Sequence, residues 1–401
     1  MITVAIICEY NPFHNGHLHH IEAIRREFGE DTRIIAIMSG SFTQRGESAI
    51  MDKFDRAKCA VLSGVNLVLE LPFPFSMSSA ELFAMAGVAI ADSLGIVDYL
   101  SFGSESGDIS AITEYAERTL SKEYLSLLDR MTNEPSNSAL GYARLCEMAY
   151  SALYDKPIAL SPNNILAIEY VKAIIRRGSK IKPHTVRREG ADYNSTSLGE
   201  VNPSATAIRR EVLGGNISAL GHVPAVTREV LLDALRTGAF PCDMERLAPA
   251  VLSFFRLSPT DAPVELHDAK GGLYNRLRAT SLEADSIKTL VSLSETKKYT
   301  NARILRATWY SFFGVTSSDV KDEPRYTQLL AMDGTGRSCL KEIRKRGSLA
   351  VVTKPSDTDG LSDTAKRQKA LSDRADSIFH LTRPSAVCGN HSLRCSPYVK
   401  S

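Results

Sequence analysis

Apolar positions in the first hundred residues follow two alternating rhythms. Short runs rich in β-branched residues, at 2–9, 33–38, 66–71 and 97–102, predict buried strands. Between them the apolar positions recur at helical spacing. Leu18, Ile21, Ile24 and Phe28 form one stripe that opens at Gly16 and stops at Gly29. A second helix is predicted from Asp52 to Ser63, and a third from 78 or 79 to Leu94, closed by Gly95. A strand followed by a helix, repeated in this way, is the pattern of a parallel sheet joined by crossover helices. The stretch 108–178 reads as helical, with breaks near 132–137 and 155–163; 181–188 suits a further strand, and Ser204 to Leu213 a helix closed by Gly214 and Gly215. Beyond 236 the strand patterns fade and helical ones run on to 346. The expected architecture is an α/β parallel-sheet domain over 1–236, a mainly α-helical second domain over 237–381 and a poorly patterned tail over 382–401.

At 401 residues the chain is long enough for two cores, and 43% hydrophobic with 23% charged residues is the balance of a globular protein. The longest apolar stretches are interrupted by Asn66, Glu70 and Asp92, so no membrane span and no membrane partner are predicted. Met1-Ile2-Thr3-Val4 lacks a basic leader and runs directly into a strand pattern, which favours a cytoplasmic location. Seven cysteines without a C-x-x-C pair argue against a disulfide framework or a structural zinc site. The one close group, Cys388, His391 and Cys395, is a ligand short. The net charge of +2 conceals an asymmetry, because 296–354 carries 12 lysines and arginines against 5 acidic residues. That excess predicts an anionic partner.

Chemistry concentrates where the first strand meets the first helix, in the segment Ile7, Cys8, Glu9, Tyr10, Asn11, Pro12, Phe13, His14, Asn15, Gly16, His17, Leu18, His19 and His20. Ligands of open α/β sheets bind at such junctions, and a helix N-terminus offers free N–H groups and partial positive charge to a phosphate. Gly16 lets the backbone come close, while His14 and His17, three apart, can converge on one phosphate chain as hydrogen-bond donors. His19 and His20 read as ordinary helix positions.

The Asn-Pro-Phe-His-Asn-Gly-His run resembles the nucleotidyltransferase superfamily with its H-x-G-H motif, and more closely the tRNA(Met) cytidine acetate ligase family. Further similar blocks are 38–47, Asp52-Lys53, 66–72, 102–105, 162–166 and 204–209, with weaker likeness at 340–345 and 373–379. The resemblance departs at Ala167, where a glycine is expected, and at Asn194, where a histidine is. It implies a Rossmann-like sheet of the nucleotidyltransferase or HUP type. It also implies ATP binding by 7–20, with further contacts from Gly103, from Asn163 or Asn164, and from Arg188 beside Arg187. Ser204, Thr206 and Arg209 resemble the superfamily's second phosphate motif, at the start of a helix.

The implied reaction joins free acetate to ATP as acetyl-adenylate, then acetylates the N4 amine of the wobble cytidine of elongator tRNA(Met), forming N4-acetylcytidine. His14, His17 and Arg209 would be its charge-stabilising donors, and Mg²⁺ would arrive with ATP. Gln44, Arg45, Gly46 and Glu47 suit recognition of acetate or a nucleobase, although a solvated loop explains them as well. Lys297, Lys298, Arg303, Arg306, Lys341, Arg344, Lys345 and Arg346 are candidates for tracking tRNA phosphates, and Trp309 and Tyr310 for stacking or for the core. Two rival readings are a small-molecule nucleotidyltransferase and a catalytically inert RNA-binding protein of the same fold.

Overall fold

The computed structural model describes residues 1–400 apart from 138–139, 155–160, 189–202, 260–264, 270–271 and 386. Asn194 lies outside these described residues. One mixed sheet organises the chain, from β1 (Thr3–Cys8), β2 (Arg33–Ser39), β3 (Leu67–Leu71), β4 (Tyr99–Ser104), β5 (Lys182–Arg187), β6 (Tyr326–Met332), β7 (Ala350–Val352) and β8 (Tyr398–Val399). Its order is β5-β4-β1-β2-β3-β6-β7, with β8 also on β6. The first five strands are parallel, as their patterning predicts, and β6 runs antiparallel to β3.

Helices α1 (Asn15–Phe28), α2 (Lys53–Leu62), α3 (Ala80–Ser93), α4 (Ile109–Thr119), α5 (Lys122–Asn133), α6 (Tyr142–Leu153), α7 (Pro162–Arg177) and α8 (Ala205–Leu213) follow the first strands. A helical region continues with α9 (Ala225–Arg236), α10 (Ala248–Leu257), α11 (Leu273–Ser281), α12 (Ile287–Ser294), α13 (Asn301–Phe313) and α14 (Ser317–Lys321). Interleaved with the last strands are α15 (Gly334–Arg346), α16 (Asp363–Phe379) and α17 (His391–Arg394).

Every residue of β1 is buried, the condition of a strand covered on both faces. Side chains alternate across it. Val4, Ile6 and Cys8 pack with Ile21 and Ile24 of α1 and Ala57 and Val61 of α2; Ala5 and Ile7 pack with Phe83 of α3 and Val171 of α7. A third core joins α10–α13 and α16 to Phe42 and Phe73, which follow β2 and β3. Trp309 and Tyr310 belong to that core, fully buried, with the indole N–H donating to the Gly46 carbonyl at 2.7 Å and the Tyr310 hydroxyl donating to the Met77 carbonyl. Neither ring is therefore available to stack on a base, which corrects the stacking role offered for them.

The helical expectation for the chain up to 346 is also corrected. Tyr326–Met332 is a strand, because the open edge of β3 gives its unperiodic apolar run a partner that the local sequence does not reveal. The segment 382–401 contributes too: Tyr398 and Val399 pair with β6, and the Lys400 N–H donates to the Met332 carbonyl at 2.9 Å. The chain thus leaves the sheet after β5, runs through helices and returns to it at β6.

Candidate active site

A cleft opens at the carboxyl ends of β1 and β4, where the strand order reverses direction and the flanking loops diverge. It is lined by Ile7, Cys8, Glu9, Tyr10, Asn11, His14, His17, His20, Gly103, Asn163, Arg188, Ser204, Thr206 and Arg209. These candidates come from five separate stretches of chain. Pro12, Phe13, Asn15, Gly16, Leu18 and His19 are not among the lining residues, so the run 7–20 splits into wall and support. Phe13 is fully buried, with its ring centroid 4.8 Å from that of Tyr10, and Leu18 packs on the core below.

The start of α1 explains the histidine pair. His14 is the N-cap; its Nδ1 accepts from the Gly16 N–H at 3.0 Å, and His17 Nδ1 accepts from the His14 N–H at 3.2 Å. A reciprocal capping box is thereby built from two imidazoles. With each Nδ1 an acceptor, the proton of each neutral ring sits on Nε2, leaving two N–H donors on rings stacked 3.9 Å apart. A Cβ at Gly16 would lie 2.8 Å from the His14 ring, so glycine is required for this fold-over. Burial first, and then Arg188 and Arg209, lower the His14 pKa to about 3. Burial, His14 and Arg188 also hold His17 well below its ordinary value. The cleft therefore carries uncharged imidazoles facing two guanidinium groups, a setting that favours an anion.

Opposite α1, the N-terminus of α7 is capped from a distance. Glu105 accepts from Ser161 Oγ at 2.6 Å, Asn163 Nδ2 at 2.6 Å and the Asn164 N–H at 3.0 Å. Burial pushes the Glu105 carboxyl up, but these hydrogen bonds outweigh it and hold the group below its usual range. Asn163 Oδ1 then accepts from Arg188 at 3.3 Å, whose stem crosses Gly103 so closely that a Cβ there would lie 3.1 Å from it. Asn164 instead accepts from the backbone of Glu105 and Ser106, and Arg187 packs over Gly107. Of the two alternatives left open by sequence, Asn163 and Arg188 line the cleft. Ala167 is buried in the core below α7.

On the third side Ser204 caps α8, accepting from the Ala207 N–H at 3.1 Å. Arg209 donates to the Asn11 carbonyl at 2.8 Å, to Thr206 Oγ1 at 3.3 Å and to the Glu47 carboxylate. His20, read as an ordinary helix position, lines the cleft and bonds to Ser101 Oγ at 2.8 Å, from which the chain continues through His184 to Glu27.

Three structural roles escaped the sequence. Arg56, fully buried, donates to the carbonyls of Glu9, Gly40 and Met51, pinning the loop after β1 to the loops after β2. Glu9 accepts from the Gln44 N–H at 2.9 Å and so joins the same loops from the cleft side. Phe83, Phe102, Leu166 and Tyr170 give the cleft an apolar wall. The one signal for Arg56 is an arginine on the buried stripe of a predicted helix.

The basic residues divide into groups. Arg303 and Arg306 pair with Asp268 at 3.1 and 3.5 Å, and Lys297 and Lys298 are exposed. Helix α15, which carries Lys341, Arg344, Lys345 and Arg346, lies along the N-terminal edge of the sheet. Its start meets Asn66 before β3, Glu342 bridges to Arg33 at the start of β2 at 2.8 Å, and its end meets Gly95 ahead of β4. That edge faces away from the cleft. Among the described residues no helix is long and apolar enough to cross a membrane.

Comparison with known proteins places this geometry. Residues 1–392 match the family model described as HIGH Nucleotidyl Transferase. A tRNA(Met) cytidine acetate ligase of Thermoanaerobacter sp. (strain X514) is 34% identical over 380 residues, 92% of this chain and 93% of its own length. One of Acetivibrio thermocellus is 35% identical over 383 residues, 92% of each chain. The crystal structure of apo Thermotoga maritima TmcAL matches with a TM-score of 0.93 at 30% identity, over 100% of this chain and 99% of that one. The same protein bound with alpha-thio ATP matches with a TM-score of 0.91 at 29% identity over the full length of both. Since the likeness runs unbroken through sheet and helices alike, the chain belongs to the HIGH nucleotidyl transferase family and, within it, to the tRNA(Met) cytidine acetate ligases.

Proposed function

We propose that this protein uses ATP to activate free acetate and transfers the acetyl group to the N4 amine of the wobble cytidine of elongator tRNA(Met), in the cytoplasm. The observation that carries the reading is the pair of neutral imidazole Nε2–H donors at a helix N-terminus, faced by Arg188 and Arg209. Such a site suits a nucleoside triphosphate, and the family relationship supplies the acetyl acceptor.

In the first step an acetate oxygen attacks the α-phosphorus of ATP, and pyrophosphate departs with the electrons of the broken P–O bond. Charge accumulates on the α-phosphoryl oxygens and on pyrophosphate. His14 and His17 donate to it without first losing water, because they are already desolvated and oriented by the capping box. Arg209, Thr206 and the helix that follows Ser204 hold the outer phosphates. Arg188, steadied by Asn163, lies over Gly103, and the apolar wall around Phe102 and Tyr170 suits the adenine ring. The transfer needs positioning rather than a protein nucleophile.

Mg²⁺ would be carried mainly by the phosphates of ATP, where it supplies charge neutralisation. In the second step the cytidine amine attacks the acetyl carbonyl and AMP leaves. The intact His14, Gly16, His17, Ser204, Thr206 and Arg209 favour a working enzyme over an inert RNA-binding relative. The test is nucleoside mass spectrometry of unmodified tRNA(Met) incubated with the protein, ATP and labelled acetate. N4-acetylcytidine carrying the label is expected; its absence while ATP is consumed would overturn the reading.

A further inference from the structure

The nucleotide cleft has a neighbour. A groove of about 600 Å³, open to solvent, lies between α8, the residues after Cys242 and the α12–α13 pair, and Thr206 and Arg209 line both it and the cleft. Glu47 stands on the groove side of Arg209, ion-paired with it and 35% exposed. Leu213, Met244, Val291 and Leu305 give the groove apolar walls. Leu213 is 46% exposed, a cost that a covering ligand would remove.

We infer that this groove receives the unpaired cytosine of the RNA acceptor, with the Glu47–Arg209 pair reading its edge once pyrophosphate has left Arg209 and Glu47 taking the N4 proton. The inference rests on the function proposed above and adds where the acceptor enters and what recognises it. An acceptor must reach the adenylate from a space that touches the phosphate site, and the shared residues Thr206 and Arg209 mark that contact.

The chemistry of the pair fits one base. Cytosine presents an N4 donor beside N3 and O2 acceptors, and a carboxylate next to a guanidinium presents the complement. Uracil would turn its O4 acceptor toward the carboxylate and be repelled. A paired cytosine would have the same edge occupied, so the base must be single-stranded. Arg210 and Lys288, both exposed, supply cations for flanking phosphates. Of the groove's other carboxylates, Glu245 accepts from the Ile287 and Lys288 N–H groups at 2.8 and 2.9 Å and Asp243 from the Glu245 N–H at 3.0 Å, which spends part of their charge on backbone, while Glu295 is exposed to solvent.

In the transfer step the N4 lone pair forms a bond to the acetyl carbonyl carbon. The bond from that carbon to the phosphate oxygen breaks, AMP leaves with its electron pair, and the N4 proton passes to a Glu47 carboxylate oxygen.

Two rates measured on the full-length protein test this: acetate-dependent pyrophosphate exchange into ATP, and labelled acetyl transfer to unmodified tRNA(Met). Glu47→Gln should lower the ratio of transfer to exchange by on the order of 100-fold, the usual worth of a general base. Ser292→Trp fills the groove from an exposed wall position and should raise the KM for tRNA by about 10-fold or more. If both variants keep the wild-type ratio and the wild-type KM for tRNA, the inference is overturned. If Ser292→Trp instead raises the KM for acetate or ATP alone, the groove holds a small substrate and the inference is likewise wrong. Loss of acetate-dependent exchange in the wild-type protein would instead indict the underlying function.

Discussion

At the scale of single residues, His14 and His17 serve two ends with one ring each. Nδ1 builds the helix cap, and under the proposed function Nε2–H is left to donate to the nucleotide. Replacing either by alanine should lower acetate-dependent pyrophosphate exchange by on the order of 100- to 1000-fold, the range seen for loss of one preorganised donor, while tRNA binding in a filter assay is retained. Stability should report the same rings. The pKa values of His14 and His20 are lowered to about 3 by burial first and by neighbouring charges second. Below the ordinary imidazole value of about 6.5, the unfolded chain takes up protons that the folded one refuses. Stability is then lost as pH falls from that value toward the folded one, by up to about 1.4 kcal/mol per pH unit for each ring. Urea midpoints of the ligand-free protein at pH 7.5 and 5.5 should differ accordingly, and His14→Gln should flatten the dependence. Glycine and histidine at a strand-to-helix junction were readable from sequence because their chemistry is local. Arg56 and the bond that ties Glu9 to Gln44 were not, since the partners lie on other loops and only folding brings them together.

At the scale of elements, the cleft depends on helix starts held in register by side chains of other segments. Glu105 ties the end of β4 to the N-terminus of α7, and through Asn163 to Arg188 at the end of β5. Asn163→Ala should therefore raise the KM for ATP by about 10-fold, the value of one lost hydrogen bond to a charged group, with little change in thermal midpoint. Asn164→Ala should do the reverse, since its side chain serves the turn after β4; steady-state kinetics with thermal melts separates the two. Strands β1, β2 and β3 were legible because each is a mainly apolar run buried on both faces. Strand β6 was not, because Tyr326–Met332 sits among helices and owes its conformation to β3, more than 250 residues earlier in the chain.

At the scale of the molecule, the C-terminal chain completes the site region from behind. Lys53 on α2 donates to Glu70 at 2.8 and 2.9 Å and to Asp376 of α16 at 2.7 Å, all three groups buried. Burial works against the charge on Lys53, but Asp376 and Glu70 outweigh it and raise its pKa. Lys53→Met would strand two carboxyls in the interior, and a loss of about 3–5 kcal/mol in urea unfolding is expected. The basic excess of 296–354, a single feature in sequence, is distributed by the fold over separate faces, with α15 on the edge opposite the cleft. Charge counts locate a partner's sign but not its path, which only the arrangement of elements gives. The central claim is that the cleft at the ends of β1 and β4 joins acetate to ATP, and pyrophosphate exchange into ATP, with and without acetate, tests it most directly. The account predicts exchange that requires acetate and is lost in His17→Ala; exchange indifferent to acetate, or undiminished in that variant, would contradict it.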